Sequence, residues 1–304
     1  MCDLQDLQRF AIPGVVSVEA GSGGLPRFAV QAREGKAHVY LHGAHITHFQ
    51  PAGGKPVLFL SGKSHFATSK AIRGGVPVIF PWFGAKEGDA AAPAHGFARV
   101  LDWQPAAVRQ EPDGTVSITL ELASSAETHK SWPHDFRARY TITVGRTLGL
   151  SLEVQNVSGE AFRFEEALHT YLAVSDVRNV EILGLGGKTY LDKVDAARRK
   201  VQPPGNIRIE GETDRVYLDT PDAVTVADPD FARRLVVQKQ GSRATVLWNP
   251  WIAKAKSMSD FGDDEWPQML CVESANVSDN AVTLASGATH RMQTTIAAEA
   301  LASV

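Results

Sequence analysis

The sequence is poor in cysteine. Of its 304 residues only Cys2 and Cys271 carry a thiol. One stands at the extreme N-terminus and the other inside an apolar stretch, which argues against a disulfide framework and suits a reducing compartment. No apolar run approaches the ~18 residues of a membrane span. The opening Met1-Cys2-Asp3-Leu4-Gln5-Asp6-Leu7 lacks the basic and apolar regions of a secretory signal. An excess of basic charge is missing too: 31 Lys and Arg stand against 34 Asp and Glu, a formal net charge of −3. Such a chain is not built to wrap nucleic acid or to lie on an anionic membrane, although single arginines can still bind a small anion. Neither partner is expected, and the protein is read as a cytoplasmic monomer.

Several chemical signatures are also missing. The ten histidines are scattered, with no His-Glu-x-x-His and no paired cysteines, so a metal site is not indicated. There is no Gly-x-Ser-x-Gly elbow, no dinucleotide-binding glycine fingerprint and no phosphate-binding loop ending in Gly-Lys-Ser/Thr. No cofactor is expected.

What is present is ordinary globular material, 43% hydrophobic and 21% charged, with enough apolar residues for a sizeable core. Long amphipathic helices are nearly absent; one short helix is expected over 3–10. Short strands are expected at 37–41, 45–49, 57–60, 116–122, 137–144, 148–154, 180–183, 215–218, 223–226, 234–238, 244–248, 269–274, 281–284 and 290–297. The stretch 161–174 is long enough to bend. Gly, Pro, Asp and Asn punctuate these runs at frequent intervals. The pattern predicts an all-β fold, a large antiparallel β-sandwich with few short helices. No linker divides it, so one domain is expected over 1–304, with 1–25 as an N-terminal extension. Two loops, 84–94 and 249–267, interrupt the rhythm, and the second is rich in aromatic residues.

Few segments carry chemistry. Met269-Leu270-Cys271-Val272-Glu273-Ser274-Ala275-Asn276 reads as an apolar strand holding one carboxylate. Alternation puts Cys271, Glu273 and Ala275 on one face. Glu273 either reaches solvent at the strand end or needs a partner, because an unpaired buried carboxylate is costly. In Phe164-Glu165-Glu166-Ala167-Leu168-His169-Thr170-Tyr171, the face of Glu165, Ala167, His169 and Tyr171 is too polar for a dry core. His169 is either a half-buried, hydrogen-bonded imidazole or a general acid/base. Arg73, ahead of Gly74-Gly75 and an apolar run to Gly84, is a surface arginine or an anion fork. His95-Gly96-Phe97-Ala98-Arg99 brings a second arginine close to a histidine. Asp214, at a strand start, caps a turn or holds hydroxyls. Trp248-Asn249-Pro250-Trp251 offers ring faces beside an amide, suited to a pyranose or to a core.

Taken in order, six blocks resemble a known family: Arg73-Gly-Gly-Val-Pro-Val-Ile-Phe-Pro-Trp-Phe-Gly84, His95-Gly-Phe-Ala-Arg99, Ala167-Leu-His169-Thr-Tyr171, Thr213-Asp-Arg-Val-Tyr217, Trp248-Asn-Pro-Trp251 and Cys271-Val-Glu-Ser-Ala-Asn276. They are similar to the hexose-6-phosphate mutarotases, or glucose-6-phosphate 1-epimerases, of the aldose 1-epimerase (galactose mutarotase-like) superfamily. The resemblance covers roughly residues 30–295. It implies a supersandwich with the site in the cleft of a curved sheet. It further implies His169 as general acid, Glu273 as general base, Asp214 on sugar hydroxyls, Arg73 and Arg99 on the phosphate, and His95 close to the ring. One departure stands out: the family often carries Gln before the His-Gly-Phe-Ala-Arg block, where this chain has Ala94.

The expected activity is isomerisation of the α and β anomers of an aldohexose 6-phosphate, glucose 6-phosphate first, through acid/base ring opening. It requires Glu273 ionised while His169 is cationic, a state that mutual proximity favours. Two alternatives remain open at this point: a non-catalytic sugar-phosphate sensor, and a glycosidase using Asp214 with Glu273.

Overall fold

Alternation sets the layers. In Val116–Ala123, Val116, Ile118 and Leu120 are buried and the residues between them are partly exposed. Phe136–Val144 and Leu148–Asn156 repeat the pattern, so each strand presents one apolar face. A computed structural model describes residues 4–301; Cys2 lies outside them. Eight strands make one antiparallel sheet in the order 181–183, 224–228, 233–240, 289–300, 148–156, 136–144, 116–123 and 104–110. A second eight-stranded sheet runs 198–201, 189–192, 213–218, 244–249, 269–276, 166–168 and 78–79, with 171–173 also paired to 269–276. The expected all-β sandwich is the observed architecture. Among the described residues no helix is long and apolar enough to cross a membrane.

The second sheet positions the site. Its strand Met269–Asn276 is buried at all eight positions, so it is covered on both faces. On one face, Leu270, Val272 and Leu247 join the main core. On the other, Ile79, Ala167, Val216, Leu218, Ala244, Val246, Ala275 and Val277 form a separate apolar cluster. A buried polar bridge helps tie the sheets together: His290 lies 2.8 Å from a Glu166 oxygen that also accepts from Asn276 Nδ2. Around Phe80, the rings of Phe97, Trp132, Phe136 and Phe164 pack edge to face, with Phe136 centred 5.1 Å away. Truncating such a buried ring typically costs ~3–5 kcal/mol.

Four segments differ from expectation. Within the N-terminal extension, where no strand was expected, Val16–Ala20 pairs with Pro26–Ala32 in a four-stranded sheet, and Leu7, Val16 and Leu25 are buried. The segment 57–60 makes only isolated bridges, Leu58 with Leu172 and Leu60 with Gly74. The stretch 161–174 breaks into Phe162–Phe164, Glu166–Leu168 and Tyr171–Ala173. The aromatic loop contains a helix, Trp251–Ser257, and a 3₁₀ turn, Trp266–Gln268. The expected helix at the start is Leu4–Leu7, continued as a 3₁₀ turn over Gln8–Phe10.

Candidate active site

The strand register assembles the site. Pairing aligns Asp214, Trp248, Cys271 and Tyr171 in one row across the sheet. The next row on the same face contains Val216, Val246 and Glu273. Ala167 stands opposite Ala275 and Tyr171 opposite Cys271, so the same count places His169 opposite Glu273. There the ladder is interrupted. The His169 N–H donates to the Pro77 carbonyl at 3.0 Å, in the gap between Glu166–Leu168 and Tyr171–Ala173. The His169 side chain is buried there, and its Nδ1 comes within 3.2 Å of Glu273 Oε1.

A cavity of roughly 270 Å³ opens on this face, lined among others by Arg73, His95, His169, Asp214, Trp248 and Glu273. Arg99 does not line it, but its charge acts on His95, His169 and Glu273. Thus six of the seven residues singled out from the sequence converge on one cavity, with the seventh close by. Trp248 sets its ring edge to face with His169 at 6.1 Å. Its neighbours in the motif do other work. Asn249 is buried, donates to the Trp266 and Met269 carbonyls and accepts from the Trp251 N–H. Trp251 lies against Trp266, centroids 4.3 Å apart. The amide expected to face a sugar therefore fixes the start of helix Trp251–Ser257 instead.

Arg73 is held on three sides. Its Nε and Nη2 both donate to Asp260 Oδ2, at 3.2 and 3.0 Å, and its Nη1 donates to the Tyr171 hydroxyl at 3.0 Å. Burial alone would favour loss of its proton; Tyr171 and Asp260 more than offset that and keep it cationic. Gly75 makes this placement possible. Its φ is +61°, and a Cβ there would strike the Ile46 carbonyl. His45 pins the same turn, its Nε2 2.7 Å from the Gly74 oxygen, which as a carbonyl can only accept. Arg99 Nη2 donates to the Ala94 carbonyl at 2.7 Å, while its Nε is buried without a partner. Burial and the charge of Arg73 push Arg99 down to about 10.

His95 is fixed as a neutral imidazole. It adopts φ +63°, a left-handed conformation costing ~1–3 kcal/mol for a side chain with a Cβ. The Gly84 N–H donates to its Nδ1 at 3.2 Å, so Nε2 carries the proton. Burial, with the cations Arg99, Arg73 and Lys193, pulls its pKa down to about 3. A neutral donor is left for a ligand oxygen.

The His169–Glu273 pair departs from expectation. Burial pushes Glu273 well above the usual carboxylate range, and Asp214 adds to the effect. Burial pushes His169 well below the ordinary imidazole value, and His95, Arg99 and Arg73 push the same way. The contact between them is close but poorly aligned: His169 Nδ1 and Glu273 Oε2 both lack a hydrogen-bond partner. Burial and the neighbouring charges therefore favour the uncharged pair, Glu–COOH with neutral imidazole, over the ion pair. Cys271 completes the row, and its Sγ, His169 nitrogen and Glu273 oxygen lie within 4.8 Å of one another. That donor set suits a borderline-soft divalent cation. No single motif carries this grouping: Cys271 and Glu273 share one strand, and His169 stands in the gap between two others.

Asp260, Tyr171, Lys254 and Met258 are the site residues that the sequence left without a role. Asp260 and Lys254 lie in the aromatic loop, whose length and composition were the available signal. Glu165, expected on the polar face, accepts instead from the Phe83 and Ser278 N–H groups at 2.9 and 2.7 Å and clamps the loop beside His95.

Fold and cavity together define a sandwich protein with a buried imidazole–carboxylate pair beside a cationic arginine. Comparison with known proteins gives the family: the profile described as "Aldose 1-epimerase" matches residues 27–297, and the chain belongs to that family. It is 42% identical over 246 residues to a "Putative glucose-6-phosphate 1-epimerase" of Escherichia coli K12, covering 80% of this chain and 81% of that one. A protein of the same name from Cenchrus ciliaris is 38% identical over 264 residues, 84% of this chain and 79% of its own. Among solved structures, a "putative mutarotase" from Salmonella typhimurium superposes with a TM-score of 0.88 at 35% identity, over 95% of both chains.

Proposed function

We propose that this protein interconverts the α and β anomers of an aldohexose 6-phosphate, with glucose 6-phosphate as the first candidate. The observation that carries the proposal is the 3.2 Å approach of His169 to Glu273 within a cavity that also holds a cationic arginine. A sugar-phosphate sensor would need the arginine but not a proton donor and acceptor placed opposite each other. The names of the two relatives agree with a phosphorylated aldohexose.

The chemistry is a relay of two protons. In opening, ionised Glu273 takes the proton of the C1 hydroxyl while protonated His169 gives one to the ring oxygen. Such placed proton transfers typically contribute ~10²–10⁴-fold each. The products are the aldehyde and an uncharged His169–Glu273 pair, the state that burial already favours. The C1–C2 bond then rotates. Closure reverses the roles: Glu273 returns its proton to C1 oxygen and neutral His169 takes that of the C5 hydroxyl. Asp214 would accept from ring hydroxyls, His95 would donate through Nε2, and Trp248 would cover an apolar face of the sugar. Arg73 and Arg99 would hold the phosphate away from the reacting carbon, so that its binding orients the ring. The test is exchange NMR of glucose 6-phosphate anomers, repeated with free glucose and galactose 6-phosphate. Tight binding without faster exchange would leave a sensor in place of the enzyme.

A further inference from the structure

Tyr171 has no assigned part in this relay, yet it touches both the proposed acid His169 and Arg73. It is 1% exposed. Its hydroxyl accepts from Arg73 Nη1 at 3.0 Å. Its ring lies parallel to the His169 imidazole, 8° between planes and 4.7 Å between centroids. Trp248 closes the stack edge-on, 5.9 Å from Tyr171 and 6.1 Å from His169. Behind Arg73, Asp260 takes Nε and Nη2. A guanidinium has five N–H groups; these contacts use three and leave one on each terminal nitrogen of a residue that lines the cavity.

Resting on the function proposed above, we propose that Tyr171 is a positioning residue that couples the anion held by Arg73 to the proton held by His169, so that the substrate's phosphate arms the acid as well as anchoring the sugar. The physics is electrostatic. An imidazolium stacked on a phenol ring is stabilised by the electron density of that ring. Arg73 donates into the phenol oxygen and draws density away, and its own charge repels a second cation through a low-dielectric interior. A phosphate dianion on the free N–H groups of Arg73 offsets both effects. The other groups facing His169 are Glu273 across the interrupted ladder, Cys271 beside it, His95 edge-on at 5.9 Å, and Arg99 through its charge. Of these only Arg99 shares with Arg73 a charge that phosphate would offset. Tyr171 is in direct contact with both Arg73 and His169.

The test separates the two parts of the substrate. Exchange NMR follows anomerisation of free glucose with and without sodium phosphite, a dianion that can occupy the arginine site alone. In the wild-type protein, saturating phosphite is expected to accelerate glucose exchange on the order of tenfold or more. The falling alkaline limb of the pH–rate profile is expected to move up by about one pH unit, since one pKa unit corresponds to a tenfold change in proton affinity. Tyr171→Phe keeps the stacked ring and removes the acceptor for Arg73. It is expected to lose most of the activation while phosphite still competes with glucose 6-phosphate at similar concentration. Failure of phosphite to accelerate glucose in the wild type, with binding shown by competition, would overturn the proposal. So would full activation in Tyr171→Phe. If Tyr171→Phe does not fold, the wild-type pH profile decides alone: an unmoved alkaline limb overturns the coupling. Absence of any acceleration with glucose 6-phosphate itself would instead remove the function on which the proposal rests.

Discussion

His169 stands opposite Glu273 in the sheet register with Nδ1 3.2 Å from Oε1, and burial drives both groups toward their uncharged forms. The pair is thus held in the configuration from which a ring closes, and the coupling proposed above has a bound anion favour the charged configuration from which it opens.

Stability should register the stored state. Glu273 has a folded pKa raised above its unfolded value, so it contributes stability below about 4.5 that is lost as pH rises through the folded pKa. Glu273→Gln removes that loss. Its melting temperature relative to wild type should increase between pH 5 and pH 8, by roughly 2–4 °C for each kcal/mol recovered. A difference that stays flat or shrinks with rising pH in scanning calorimetry would mean that Glu273 is ionised in the free protein.

Arg99 is the less committed of the two arginines, with a buried Nε lacking a partner. Arg99→Ala should raise KM for glucose 6-phosphate about tenfold or more, given ~1.5–3 kcal/mol for a hydrogen bond to a charged group. KM for free glucose should hardly change. Equal losses with both sugars would place Arg99 away from the phosphate.

His45 is fully buried, and its pKa is pulled down to about 3 by burial. The unfolded chain takes up its proton near pH 6.5 and the folded chain does not, so stability falls as pH drops from about 6.5 toward 3. His45→Asn should flatten that slope by one proton, about 1.4 kcal/mol per pH unit, in urea titrations at pH 7 and pH 5. An unchanged slope would show that His45 is protonated in the fold.

The grouping of His169, Cys271 and Glu273 predicts inhibition by zinc. Micromolar Zn²⁺ should slow anomer exchange, chelator should restore it, and Mg²⁺ at the same concentration should do nothing, because a thiolate–imidazole set selects the softer ion. Cys271→Ala should keep its turnover and weaken the inhibition on the order of tenfold or more. Equal zinc sensitivity in wild type and Cys271→Ala would exclude Cys271 as a ligand.

Period-two alternation made the frame legible and fixed the faces of two site strands, while the roles of Arg73, His95, Arg99 and Asp214 rested on the resemblance of the six blocks. It put Glu273 with Cys271 and Ala275, and His169 with Tyr171, on the faces that the register brings together. It failed where a residue's role is set from elsewhere in the fold. Val16–Ala20 was hidden because it is a short strand ahead of a glycine-rich turn. Asn249 looked like a sugar ligand, but its amide is consumed by three backbone groups. Asp260 was marked only by the loop it lies in, because its pairing with Arg73 spans 187 residues of chain. The distance of His169 to Glu273 could be anticipated from strand faces, but not the burial and the neighbouring cations that lower the pKa of the imidazole.

The central claim is that Glu273 and His169 pass protons to and from the anomeric centre. Exchange NMR of glucose 6-phosphate with wild type and Glu273→Gln tests it most directly. The expected result is rapid α/β exchange with wild type and a rate lowered by ~10²-fold or more in the variant, with glucose 6-phosphate affinity within about threefold of wild type. Near-wild-type exchange in Glu273→Gln would contradict the account.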